Sequence, residues 1–205
     1  MADTSKYDKI LDALLELLEN KTMENISVSE IALTAGIGKG SIYYYFPSKD
    51  AILEALVERS YRKPIETAKS LSTQNTIPPF IRMAMIFQAC KDSSYEFLSV
   101  GKSSTTATTQ ENASIHQKYL NHVISELKPD LTEIIKQGIE RGDIHFDNPA
   151  ALAEIVLIVL AVKLDNSLLP STQAEIENTL QGLISLLETG TGVPQGTLQY
   201  LSIFK

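Results

Sequence analysis

The stretch that decides the fold runs from residue 31 to residue 50 and reads IALTAGIGKGSIYYYFPSKD. In it a small residue, Ala32, is followed four positions later by Gly36, and the apolar Ile37 and Ile42 come next. Two short helices that cross closely need a small residue where they touch, a turn residue that tolerates positive φ, and apolar residues that pack behind the turn. The spacing predicts a helix-turn-helix, although an αα-hairpin inside a helical bundle satisfies the same pattern.

A helix-turn-helix presents one edge of its second helix to solvent, where that edge can enter the major groove of DNA. The residues expected on or beside this edge are Lys39, Gly40, Ser41, Tyr43 and Tyr44. Phosphate contacts need Lys or Arg, which makes the net charge of −7 unfavourable for DNA binding. Between residues 31 and 49, however, the chain has two lysines and no carboxylate. The local charge is therefore compatible with DNA.

Helical periodicity runs through almost the whole chain. Ile10, Leu14 and Leu17 form one apolar stripe, and Ser27 with Glu30 has the capping-box spacing that begins a second helix at residue 28. A third helix is expected over about 38–45. A fourth follows Ser48 and reaches Pro64, which marks its end or a kink.

Five longer helices are expected over residues 79–100, 115–127, 130–141, 149–166 and 173–189, with a loop or frayed helix at 103–114. The breaks are predicted at Leu127-Lys128-Pro129, at Gly142 and at Leu169-Pro170. No segment alternates as a strand does. The sequence predicts an all-α fold.

Residues 41–50, Ser-Ile-Tyr-Tyr-Tyr-Phe-Pro-Ser-Lys-Asp, closely resemble the signature of the TetR (tetracycline repressor) family. That signature has an aromatic-rich recognition helix followed by a capped helix that bears a lysine, and the upstream Ile31-Ala32 and Ala35-Gly36-Ile37 match it as well. The resemblance covers roughly residues 6–60. Beyond them it is limited to the helical layout, including the segment 138–142. It favours the helix-turn-helix over the αα-hairpin. It also implies a three-helix DNA-binding domain with a connecting helix in residues 1–63 and a helical bundle for ligand binding and dimerisation in residues 64–205.

The resemblance implies roles for the exposed edge. Lys39, Gly40 and Ser41 are expected to read base edges, since a lysine donates to guanine O6 and N7 and a glycine lets the backbone or a thymine methyl come close. Tyr43 and Tyr44 are expected to contact phosphates through their hydroxyl groups.

The same resemblance implies that Lys49, in the first turn of the fourth helix, meets a phosphate beside that helix's N-terminal amides. Ser27 and Ser29 are candidates for phosphate or groove-edge contacts, and Ser27 also fits a plain N-cap. Tyr45 and Phe46 are expected in the core.

Dimerisation is predicted from two apolar segments in the second half of the chain. Residues 150–162 are apolar on nearly every side of a helix, with Glu154 as the only charge, and Ile176, Leu180, Leu183 and Leu187 form a second stripe. Together they resemble a helix pair that makes a four-helix interface across a two-fold axis. The alternative is that they form an intrachain core.

The ligand pocket is harder to predict. Aromatic and histidine side chains that could line one are Phe87, Tyr95, His116 and Tyr119, with Phe80 and Phe97 as further options. Cys90 is expected to be a buried thiol rather than a redox sensor. His116 and His122 are six positions apart, which does not suit two metal ligands on one helical face. No cofactor or metal is expected.

These features predict a homodimeric transcriptional repressor that binds a double-stranded DNA operator and is released by a small, partly hydrophobic ligand. A helical protein-interaction adaptor without DNA binding is the alternative. An all-α enzyme is less favoured, because Gly101-Lys102-Ser103 imitates a phosphate-binding loop but Glu96 stands where that motif needs glycine. The longest apolar run, residues 155–162, is far short of the ~20 residues that span a membrane. A cytoplasmic protein without membrane partners is therefore expected.

Overall fold

The computed structural model of the protein describes residues 5–101, 109–165, 169 and 171–202; within its helices, the side chains of 94–101, 109–116, 118–119 and 164–165 are not described. Regular structure in these ranges is helical and contains no strand, which confirms the all-α prediction. The helices are α1 (Lys6–Leu18), α2 (Val28–Thr34), α3 (Lys39–Tyr45), α4 (Lys49–Ser72), α5 (Pro79–Gly101), α6 (Thr109–Glu140), α7 (Pro149–Asp165), α8 (Gln173–Thr191) and a short 3-10 helix (Gln199–Ser202).

The chain divides into two compact units. The first contains residues 1–61 and 94–119, and the second contains residues 62–93 and 120–205. Helix α4 passes from the first unit to the second between residues 61 and 62. The predicted domain boundary after residue 63 stays a prediction.

The core of the first unit is built from the apolar faces of α1 to α4. On α1, the predicted stripe is most deeply buried at Ile10 and Leu14, where no solvent-exposed surface remains. The other fully or nearly fully buried residues of this core are Leu11, Ile26, Ile31, Ile42, Ile52 and Leu56. Burial of a large aliphatic side chain contributes about 1.5–3 kcal/mol, so this cluster holds the short helices α2 and α3, which would not form alone.

Helix α6 is continuous where the sequence predicted a break. It runs through Pro129, so the expected end at residue 127 is wrong, and it begins at Thr109, inside the stretch expected to be a loop. A proline in a helix interior costs about 3 kcal/mol because a backbone hydrogen bond is lost. Leu127 and Leu131, on either side of it, are both almost completely buried, and their burial offsets that cost.

Helix α4 likewise continues through a proline. Pro64 lies inside the helix, which extends to Ser72, so Pro64 does not end it. The flanking Tyr61 and Ile65 are buried, and they tie the helix to its surroundings on both sides of the proline.

The second unit takes its buried apolar residues from the second half of α4, from α5 to α8 and from the C-terminal segment. On α8, the predicted dimer stripe is largely buried within the chain itself: Leu180, Leu183 and Leu187 are all under 9% exposed. That part of the dimer prediction is therefore corrected to an intrachain core. Helix α8 also ends slightly later than the predicted residue 189, since it runs to Thr191 and is capped by Gly192 with φ +70°.

Candidate nucleic-acid interface

The turn between α2 and α3 has the geometry that residues 31–42 predict. Gly36 adopts φ +65°, in the left-handed region that favours glycine. The amide of Ile37 donates to the carbonyl of Ala32 at 3.0 Å, and this bond closes the turn. Ala32 and Ile42 are buried behind it, as expected, whereas Ile37 is only half-buried. The two helices therefore form a helix-turn-helix rather than an αα-hairpin inside a helical bundle.

Helix α3 turns the predicted edge to solvent. Lys39 and Gly40 are exposed, Ser41 is half-buried, and Tyr43 and Tyr44 are 51% and 84% exposed. Ile42, in the middle of the helix, is buried, and this burial determines which side of α3 faces solvent. Contact of these five residues with DNA stays a prediction.

The two aromatic residues at the end of α3 differ from each other. Phe46 is buried, as expected, and its ring lies 4.8 Å from that of Tyr7 on α1. Tyr45 was expected in the core, but 37% of its surface is exposed. Its ring packs edge-to-face on Tyr7 at 6.4 Å and on Tyr44 at 5.1 Å. Tyr45 is thus a surface residue that supports the exposed Tyr44.

A capping box fixes the start of α2. The side chain of Ser27 accepts a hydrogen bond from the amide of Glu30 at 3.2 Å, and the Glu30 carboxylate accepts one from the amide of Ser27 at 2.8 Å. Lys21 donates to the same carboxylate at 2.6 Å. These bonds, that of Lys21 first, lower the pKa of Glu30 to about 2. The N-cap interpretation of Ser27 is therefore confirmed; Ser27 and Ser29 are both exposed, and their contact with DNA stays a prediction.

Lys49 is the first residue of α4, where it was predicted, and its contact with a phosphate stays a prediction. Its Nζ donates to main-chain carbonyl oxygens of the segment between α1 and α2: those of Met23, of Ile26 at 2.8 Å and of Glu24 at 3.4 Å. The side chain is therefore directed at its own chain. The position of Lys49 at the start of α4 could be predicted from the sequence. Its hydrogen-bond acceptors could not, because they are main-chain carbonyls, which every residue has.

Of the four side chains proposed for a ligand pocket, only Phe87 is described. It lies on the core face of α5 and is 2% exposed. The side chains of Tyr95, His116 and Tyr119 lie outside the described residues. Cys90, on the same face of α5, is buried, and burial raises the pKa of its thiol to about 12, which agrees with the predicted inert thiol.

The face of α5 that lies opposite Phe87 and Cys90 borders a groove of about 490 Å³. The residues around it are Phe80, Ile81, Ala84, Met85, Gln88, Thr197 and Tyr200. Ile81 and Met85 are each about half exposed here.

A buried polar cluster at the C-terminal end of α4 has no counterpart in the sequence prediction. The guanidinium of Arg82 has no exposed surface and donates through Nη1 to the carbonyl of Leu71 at 3.2 Å and to Oε1 of Gln137 at 2.6 Å. Gln137 in turn donates to the carbonyl of Ser72 at 2.9 Å. The only hint in the sequence is that Arg82 stands on the apolar face of α5, between Pro79 and Met83.

Among the described residues, no group of three or more His, Cys, Asp or Glu side chains could hold a metal ion. No helix in the described part of the chain is long and apolar enough to cross a membrane.

Two family models match the chain. One, described as bacterial regulatory proteins of the tetR family, matches residues 10–56, and the other, described as a tetracyclin repressor-like C-terminal domain, matches residues 98–183. The first covers the helix-turn-helix, and the second covers the end of α5, all of α6 and α7, and part of α8.

Relatives agree with these matches. The uncharacterized HTH-type transcriptional regulator YvdT of Bacillus subtilis (strain 168) is 35% identical over 66 residues, which are 32% of this chain and 34% of that protein. The chain thus spans about a third of that relative's length. The fatty acid metabolism regulator protein of the same strain is 27% identical over 144 residues, 68% of this chain and 71% of that protein.

Among solved structures, that of SmeT, the repressor of the Stenotrophomonas maltophilia multidrug efflux pump SmeDEF, superimposes with a TM-score of 0.66. The superposition covers 95% of this chain and 93% of SmeT at 15% identity, which shows a shared fold. Because the helix-turn-helix and the C-terminal helices each match their own model of one family, this chain belongs to the tetR family of bacterial regulatory proteins.

Proposed function

We propose that this chain is a cytoplasmic transcriptional repressor, not an enzyme, that binds operator DNA as a homodimer and is released from it by a small molecule. The observation that carries the proposal is the exposed edge of α3, where Lys39, Gly40 and Tyr44 face solvent above a buried Ile42. Membership of the tetR family supports it. An edge of this kind fits the major groove of B-DNA.

Within this proposal, sequence is read by the first turn of α3. Lys39 donates to guanine O6 and N7, and Gly40, whose added Cβ would meet nothing within 4 Å, leaves room for a base edge or a thymine methyl. Ser41, being half-buried, reaches only the nearest base edge.

Register on the DNA is fixed by contacts to the phosphates. The hydroxyl groups of Tyr43 and Tyr44 donate to phosphate oxygens on one side of the groove. Ser27 and Ser29, both exposed at the start of α2, contact the groove edge or the backbone on the other side. Such contacts carry no sequence information, but they hold α3 in place.

The homodimer is supported by apolar side chains that the single chain leaves in water. Ile155 and Ile158 on α7 are 50% and 44% exposed, although α7 has apolar residues on nearly every side. On α8, Leu186 is 74% exposed. A two-fold interface made by α7 and α8 would bury these residues against their symmetry mates.

The inducer is proposed to be small and partly hydrophobic, and to bind in the helical region that follows α4, most of which (residues 98–183) matches the tetracyclin repressor-like C-terminal domain. The candidates for contact with the ligand remain Phe87, Tyr95, His116 and Tyr119. Helix α4 belongs to both compact units, so a ligand that prefers one orientation of α4 shifts the population of DNA-competent dimers.

The proposal is tested by fluorescence anisotropy with DNA from upstream of the chain's own gene, at low salt and with random DNA as competitor. We expect specific binding that Lys39→Ala weakens about 5- to 150-fold, the range of one lost base contact. Lys63→Ala, which removes an exposed lysine of α4, is the matched control and leaves affinity unchanged. A panel of small hydrophobic compounds then identifies inducers by release of the DNA. Absence of binding to any DNA would favour the adaptor instead.

A further inference from the structure

A second groove in the C-terminal helices is polar, whereas the groove beside α5 is mostly apolar. It has a volume of about 390 Å³ and lies between α8 and the segment that follows this helix. Its amide and hydroxyl groups belong to Gln181, Ser185, Thr189, Gln195 and Gln199. Small-molecule sites have volumes of ~300–1,000 Å³, and side-chain amides and hydroxyls both donate and accept hydrogen bonds. The groove therefore suits a small polar molecule.

A buried carboxylate borders this groove. Glu188 is one of its lining residues, yet it is only 6% exposed. Its Oε1 accepts a hydrogen bond from the amide of Leu198 at 3.0 Å. No other hydrogen bond or ion pair reaches this carboxylate from the part of the chain that the structure describes. Oε2 therefore has no partner there, although a glutamate is rarely buried to this extent without one.

The position of Glu188 on α8 favours a cation as the partner of Oε2. Glu188 lies in the last turn of the helix, which ends at Thr191 and has no basic residue in that turn. The C-terminal end of a helix carries a partial negative charge, so a carboxylate there is unfavourable and a cation is favourable. The ion pairs that the structure describes in this unit, made by Lys69, Lys128 and Arg141, involve other carboxylates. A bound cation would satisfy both Glu188 and the helix terminus.

We propose that this groove binds a small polar molecule that carries one protonated amine, with its ammonium group on Oε2 of Glu188. The amide and hydroxyl groups of the groove bind the polar groups of the same molecule. One carboxylate matches one positive charge, whereas a calcium ion takes six to eight oxygen ligands. Among the described residues, no group of three or more His, Cys, Asp or Glu side chains could hold a metal ion. The net charge of −7 also attracts a cation.

The groove lies on a different side of α8 from the surface proposed for dimerisation. Leu186, which belongs to that surface, and Glu188 are two positions apart, about 200° around the helix axis. They therefore face nearly opposite directions. A second copy of the chain that covers Leu186 would leave Glu188 and the groove accessible to a small molecule.

The probe for this site is serinol, an amine with two hydroxyl groups, and its neutral counterpart is glycerol, in which a hydroxyl replaces the amine. Binding to the full chain without DNA is followed by ¹⁵N NMR at the amide of Leu198, which donates to Glu188. We expect serinol to shift this signal saturably and glycerol to leave it unchanged. Glu188→Gln, which keeps an acceptor for Leu198, is expected to weaken serinol binding about 10- to 150-fold, the range for one hydrogen bond to a charged group. Glu177→Gln, at an exposed glutamate of α8, is the matched control and leaves binding unchanged.

A second variant keeps the inference testable even when Glu188→Gln does not fold. Ser185→Leu narrows the groove at an exposed position of α8 and leaves the bond between Glu188 and Leu198 in place, so it is expected to weaken serinol binding about tenfold or more. The inference is overturned by an unshifted Leu198 signal in excess serinol, by equal binding of glycerol, or by full affinity in either variant once folded. A shift caused by magnesium chloride but not by serinol also overturns it and identifies an inorganic cation site. Because no DNA is present, these results do not depend on the proposed function.

Discussion

At the scale of single residues, the helix-turn-helix depends on one backbone conformation. Gly36 has φ +65°, and nothing lies within 4 Å of the position that a Cβ would occupy there. The requirement for glycine is therefore conformational rather than steric. Gly40 is also free of neighbours at its Cβ position, but it lies within α3, where alanine has the higher helix propensity.

These two glycines should respond oppositely to the same substitution. Gly36→Ala is expected to lower the free energy of unfolding by about 1–2 kcal/mol because of left-handed strain. Gly40→Ala is expected to raise it by up to about 1 kcal/mol through helix propensity. Urea unfolding followed by circular dichroism measures both, and a change of the same sign in the two variants would contradict the assigned geometry.

Glu30 makes the stability of α2 depend on pH. Its pKa in the folded chain, about 2, is below its ordinary value of 4.5. Its contribution is therefore fully present above pH 4.5 and is lost as the pH falls towards 2. We expect Glu30→Gln to flatten the dependence of unfolding free energy on pH in this window, measured by urea unfolding at pH 6 and pH 3. Glu16→Gln, at an exposed glutamate of α1, should keep the wild-type dependence; equal slopes for the two variants would count against the assignment.

At the scale of elements, the far end of α4 is held by side chains rather than by apolar packing alone. Arg82 and Gln137 bind the carbonyls of Leu71 and Ser72, which a helix C-terminus leaves without intrahelical partners. Two further nitrogens of Arg82, Nε and Nη2, are buried without a protein partner. The guanidinium therefore depends heavily on the two bonds it does make.

Gln137→Ala removes both the acceptor of Arg82 and the donor to Ser72. We expect it to lower the free energy of unfolding by about 1–3 kcal/mol, the cost of leaving buried polar groups unsatisfied. The matched control is Gln74→Ala, because the side-chain amide of Gln74 is exposed and forms its hydrogen bonds with Ser70. That variant is expected to change stability by less than about 0.5 kcal/mol. Equal effects in thermal or urea unfolding would argue against a cluster that holds α4.

Features encoded by local sequence were predicted correctly, and those that depend on distant partners were not. The turn at Gly36 and the capping box at Ser27 involve residues a few positions apart, so spacing alone revealed them. Tyr45 is exposed because its ring rests on Tyr7 of α1, far away in sequence. The carbonyl partners of Lys49 and the buried environment around Pro129 leave no local pattern either, so neither could be predicted from residue spacing.

At the scale of the whole molecule, regulation requires two chains whose α3 helices are separated by about one turn of DNA, ~34 Å, or a multiple of it. The exposed apolar residues of α7 and α8 are the surface proposed to join the chains. Another exposed isoleucine, Ile81 on α5, lies outside this surface and is 53% exposed, close to the 50% of Ile155.

The matched pair Ile155→Asp and Ile81→Asp tests the proposed interface. Ile155→Asp places a charge that would be desolvated in the dimer, so we expect a monomer at micromolar concentration by sedimentation velocity. Ile81→Asp should stay dimeric. A dimeric Ile155→Asp variant, or a monomeric wild type, would exclude the α7 surface as the interface.

The central claim is that the first turn of α3 reads base pairs, and the most direct test is a double-mutant cycle between Lys39 and the operator. Once the operator is defined, each base pair is substituted in turn, and binding of the wild type and of Lys39→Ala is measured at one salt concentration. We expect one G·C pair per half-site whose substitution costs the wild type about 1–3 kcal/mol and costs Lys39→Ala almost nothing. If Lys39→Ala keeps the wild-type preference at every position of the operator, α3 does not read the DNA through this residue and the account is wrong.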